Sequence, residues 1–119
     1  MDLSLSKSVE LYFKDLSYIK KTFMQIQRDF DMTGIPLEWD KVLPKDYQEF
    51  YQLIFRNIHE LIRQDHPQFK NLLYRIDVSE KEIHRRMATK ADVKLEEEIS
   101  RLIIERCLLK VLTREKYSQ

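Results

Sequence analysis

Glycine occurs once and proline three times in the 119 residues. With so few residues that favour tight turns, and with 34% of side chains charged, an all-β chain is excluded and long helices are favoured. One glycine cannot build a dinucleotide fingerprint or a phosphate-binding P-loop, each of which needs several. No serine is flanked by glycines, so the strained elbow of a serine nucleophile is missing as well. A lone cysteine cannot close an internal disulfide, and Cys107 lies in an apolar run. It is read as a small buried hydrophobe rather than a reactive thiol.

Long hydrophobic runs are also missing, and nothing approaches the roughly 20 apolar residues of a membrane span. Met1-Asp2-Leu3-Ser4-Leu5-Ser6-Lys7 lacks the basic start and apolar block of a signal peptide. A cytoplasmic location, with reduced thiols and no membrane contact, is the expectation. The formal net charge of +1 gives no general attraction to nucleic acid or acidic lipid. Its distribution is uneven: residues 1–60 carry 8 basic and 10 acidic groups, residues 61–119 carry 13 and 10.

What the chain does have is apolar periodicity. Leu5, Val9, Tyr12, Phe13, Leu16, Ile19, Phe23, Ile26 and Phe30 recur at spacings of three and four, predicting a first helix over about 5–29. The stretch 29–43 breaks the pattern at Gly34 and Pro36. It keeps Ile35, Leu37, Trp39, Val42 and Leu43, so it is expected to lie over the bundle with Trp39 as its anchor. A second helix is predicted from Pro44 to about Gln64, ended by Asp65-His66-Pro67. Phe69, Leu72, Leu73 and Ile76 mark a short third helix, interrupted at Asp77-Val78. Ser79-Glu80-Lys81-Glu82 then reads as a capping box opening a helix from Glu80 to about Ala88.

A long last helix is predicted from Lys90 to about Lys116. Within it, eight of the eleven residues from Leu102 to Leu112 are apolar, and they fall on opposite sides of the helical wheel. A helix apolar on two sides is enclosed by other helices or by a second subunit. The expected architecture is one helical domain over residues 1–119. It is an all-α bundle of about five helices, three long and two short, with the C-terminal helix central or at a subunit interface.

Few residues suggest chemistry. His59 and His66 lie two helical turns apart, about 10.5 Å, too far to share an ion. His59-Glu60-Leu61-Ile62-Arg63 has arginine where a zinc-protease helix needs its second histidine. Glu96, Glu97 and Glu98 splay around the wheel and read as a solvated face near a helix N-terminus. Arg106, inside the apolar run, is expected, if enclosed, to find a carboxylate or several carbonyl groups, with a site for an anionic ligand as the alternative.

No catalytic residue, metal ligand or cofactor is expected. The leading functional expectation is a small interaction or assembly module without catalytic chemistry, partnered by a second copy of itself or by another helical protein. Its candidate contacts are Trp39, if exposed, and Ile104, Leu108 and Val111. The first alternative is a helix-turn-helix-like nucleic-acid binder using the basic segment 81–94, through Arg85, Arg86, Lys90 and Lys94. The second is a helical enzyme or small-ligand binder with a pocket near Trp39, between it and the Phe13/Phe23 stripe.

Overall fold

A computed structural model describes residues 9–89 and 92–118. Every regular element among them is helical: α1 (Leu16–Met32), α2 (Tyr47–Arg63), α3 (Phe69–Ile76), α4 (Glu80–Ala88) and α5 (Leu95–Tyr117). Residues 9–12 form a helical turn ahead of α1. The Cα radius of gyration is 13.8 Å, close to the roughly 13.5 Å expected of a compact chain this long.

The α5 helix packs against each of the other four. Its Leu102, Ile103, Ile104, Cys107 and Leu108 are fully buried, in one cluster with Phe23, Phe30, Phe50, Ile54, Ile58, Leu72 and Ile76 from α1, α2 and α3. Each large side chain buried this way contributes about 1.5–3 kcal/mol before entropy is counted. For these residues the cover expected from neighbouring helices or a second subunit is supplied by the chain's own helices, while Leu95 and Leu109 stay exposed.

Helix boundaries follow local capping. The predicted first helix is divided at residues 13–15, because Asp15 adopts an extended backbone and its carboxylate accepts from the Ser17 amide at 2.9 Å, starting α1. Leu16, counted in the apolar stripe, is consequently exposed. The other end of α1 runs past Asp29 to Met32, where Gly34, at φ 76°, takes the left-handed conformation and closes the helix. The Asp46 carboxylate, accepting from the Glu49 amide at 2.9 Å, starts α2 three residues after Pro44.

Two further differences lie at the starts of α4 and α5. Ser79 caps α4 as predicted, accepting from the Glu82 amide at 3.1 Å, but Glu82 turns its carboxylate to Arg85 and Arg86. The last helix starts at Leu95 rather than Lys90, which lies outside the described residues. Glu97 reaches back to accept from the Lys94 amide at 3.3 Å.

Candidate functional site

The loop after α1 lies over the bundle in its first part only: Ile35 is buried and Leu37 half-buried, whereas Val42 and Leu43, expected to be covered too, are exposed. Asn57 of α2 accepts from the Glu38 amide at 2.9 Å and donates to the Glu38 carbonyl at 3.0 Å, so one side chain holds the loop backbone by both its groups. Trp39 is half-buried, its ring centroid 4.5 Å from that of Phe23. Phe23 in turn meets Phe50, and Phe50 meets Phe13 at 4.9 Å. The space expected to form a pocket between Phe13, Phe23 and Trp39 is therefore filled by rings.

Buried charge collects in two networks on α5. In the first, Arg86 of α4 donates to both carboxylate oxygens of Glu105, at 2.7 and 3.0 Å, and to Glu82 at 3.1 Å. Glu98, fully buried, accepts from Arg101 at 3.1 Å and lies 3.8 Å from Arg86. Burial disfavours the charge on Arg86, but its bonds to Glu105 and Glu82 outweigh that cost and raise its pKa. Glu98 thus leaves the solvated face predicted for Glu96 to Glu98. The enclosed charge of the apolar run is Glu105 rather than Arg106, which is half-exposed and faces Glu82 at 3.8 Å.

The second network is centred on Asp29 of α1, which no sequence signal singled out. Its fully buried carboxylate accepts from Arg75 of α3 at 3.0 Å, Lys110 of α5 at 3.0 Å and Gln25 at 3.2 Å. Lys110 also donates to the Arg75 carbonyl at 3.0 Å, and Arg114 donates to the Gln25 side-chain oxygen at 2.9 Å. Three helices are joined through one carboxylate. Cys107 lies beside it, with Sγ 3.7 Å from the Asp29 carboxylate, and burial pushes the thiol pKa up, with Asp29 adding in the same direction. A raised pKa and full burial make Cys107 a poor nucleophile.

An open groove of about 590 Å³ borders this second network. One wall is the C-terminal half of α5, and it carries two rows at four-residue spacing. Arg106, Lys110 and Arg114 form a cationic row; Leu109, Thr113 and Tyr117 form an adjacent row of apolar or half-apolar groups. Gln25 of α1 and Ile76 and Asp77, at the end of α3, form the facing side. Leu109 and Tyr117 are exposed although both are large. The lining thus holds three cations and one carboxylate, Asp77.

The expected contact residues are dispersed. Ile104, Leu108 and Val111 face the chain's own core. Arg85 is exposed and donates to Glu82 at 2.5 Å, whereas Arg86 points inward to Glu105. Lys94 is exposed at the start of α5, and Lys90 lies outside the described residues. Among the described residues no group of three histidine, cysteine, aspartate or glutamate side chains is placed to hold a metal ion. No helix there is long and apolar enough to cross a membrane. The architecture defines the chain as an all-helical bundle organised on its last helix. No family model, no curated protein and no solved structure matches the chain.

Proposed function

We propose that this chain is a non-catalytic interaction module that takes a protein partner in the groove along the C-terminal half of α5. One observation carries the reading: exposed apolar side chains and cations stand there in parallel rows on a single rigid helix. Binding surfaces combine an apolar centre with flanking charge in this way, and arginine and tyrosine are enriched in them. The two buried networks support the reading by holding that wall in place, since Asp29 ties α5 to α1 and α3.

Site-specific photocross-linking tests it. A benzophenone side chain at Thr113, in the groove, is expected to capture a protein that mass spectrometry identifies in native cell extract, with the adduct lost when Leu109→Glu is added. The same group at Lys20, exposed elsewhere on α1, is expected to capture nothing reproducible. Equal capture at both positions, or none at Thr113, removes the proposal.

A further inference from the structure

Resting on that reading, we infer that the groove's partner is an acidic amphipathic helix lying along α5. Its carboxylates face Arg106, Lys110 and Arg114, and its apolar side chains face Leu109 and Tyr117.

The pitch of the two rows argues for a helix. Residues four apart on α5 are separated by about 6 Å along its axis, so the cationic row extends over about 12 Å. Glutamates four apart on another helix repeat at the same distance, and ridges of i±4 side chains pack into the grooves of a second helix of like spacing. A small anion has no use for cations spread over two turns. A nucleic-acid backbone has no use for the Leu109, Thr113 and Tyr117 row beside them. An amphipathic helix with an acidic flank uses both rows together.

Charge complementarity fixes the sign of the partner. Arg114 donates its hydrogen bond to the side-chain oxygen of Gln25, a neutral group, and no carboxylate of the groove lining meets it; the Glu115 charge acts on it only from the neighbouring position. Arg106 faces Glu82 at 3.8 Å, beyond hydrogen-bond reach. Lys110 is committed to Asp29 and contributes positive potential rather than a new bond. Asp77, at the groove's rim, opposes the row with a single negative charge. The lining remains net positive, which attracts carboxylates and repels a basic helix.

The occupant is tested by fluorescence anisotropy with the full chain and labelled synthetic peptides of about 18 residues, about five turns of helix. One peptide carries glutamates and leucines in adjacent four-residue rows, a second has the same composition scrambled, and a third replaces glutamate by lysine. Only the first is expected to bind, with Kd rising about tenfold or more between about 50 and 300 mM salt. Arg106→Gln combined with Arg114→Gln is expected to weaken it by about tenfold or more, and Asp77→Asn to tighten it about two- to threefold. Circular dichroism of each variant establishes that the fold is retained.

Binding of the scrambled peptide with equal affinity, or binding insensitive to salt and to both arginine substitutions, overturns the acidic helix and leaves the groove reading standing. Oleate binding alone overturns it in favour of a small amphiphile. A dimer of the unliganded chain, dispersed by Leu109→Glu in light scattering, overturns it in favour of a second copy. Failure of every peptide while Thr113 still cross-links to a protein overturns the partner's chemistry only; failure of both experiments overturns the groove itself.

Discussion

The two halves of α5 differ in how deeply the cations that meet buried acids are enclosed. Toward its N-terminus, Glu98 and Glu105 are drawn into the bundle and met by Arg86, whose side chain is only 12% exposed and holds both, with Arg101, 33% exposed, reaching Glu98 from the surface. Toward its C-terminus, the buried charge belongs to α1, and the cations that meet Asp29 stay about one-third exposed: 31% for Lys110 and 34% for Arg75. A carboxylate enclosed with its guanidinium has its charge spent inside the fold. Cations that satisfy a buried acid from the rim of a groove also project a field into solvent, which is why the proposed binding surface is placed on the second half of α5.

Removing the centre of each network sharpens that contrast. Arg86→Met takes the guanidinium away from Glu105 and Glu98, and urea unfolding is expected to show a loss of about 3–5 kcal/mol, the usual result of breaking a buried pair from one side. A loss below about 1 kcal/mol would mean the first half is no more enclosed than the second. Asp29→Asn is expected to cost less, about 1–3 kcal/mol, because Lys110 and Arg75 already reach water when their acid is neutralised. If it costs as much as Arg86→Met, the distinction between a closed and an open network fails.

The smallest effect is a pH dependence on the closed side. The Arg85 bond to Glu82, helped by Arg86 and opposed by burial, holds the Glu82 pKa below the ordinary glutamate value of 4.5. Its contribution to stability is therefore complete above about pH 4.5 and is lost as pH falls through the lowered folded-state value. The stability difference between the native chain and Glu82→Gln, followed by urea unfolding from about pH 6 to 3, should shrink toward zero at the acid end. A difference that grows on acidification would reverse the sign of the assignment.

Local rules made much of the bundle legible beforehand. Ser79 before Glu80, proline and glycine at the breaks, and apolar spacings of three and four located α3 and α4 and brought the ends of α2 within a few residues. The same spacings concealed the break at Asp15, since a periodicity of three and four continues across one capping turn. They also placed Asp29 at the start of a loop, although it lies on the buried face that Gln25 and Ile26 continue. The candidate groove was half legible. Arginine, lysine and arginine at 106, 110 and 114 are a visible four-residue row, but the apolar run drew attention to Ile104, Leu108 and Val111, which the bundle covers.

By itself the sequence determined the helical class, the order of long and short helices and the need to enclose the last one, because these depend on side chains within a turn or two of each other. Tertiary structure alone decided which charges are enclosed and which are offered to solvent. Asp29 and Lys110 are 81 residues apart, and Arg86 and Glu105 are 19 apart. A charge is tolerated in a core only when its counter-charge arrives there, and that arrival depends on how helices pack rather than on any residue's neighbours in the chain.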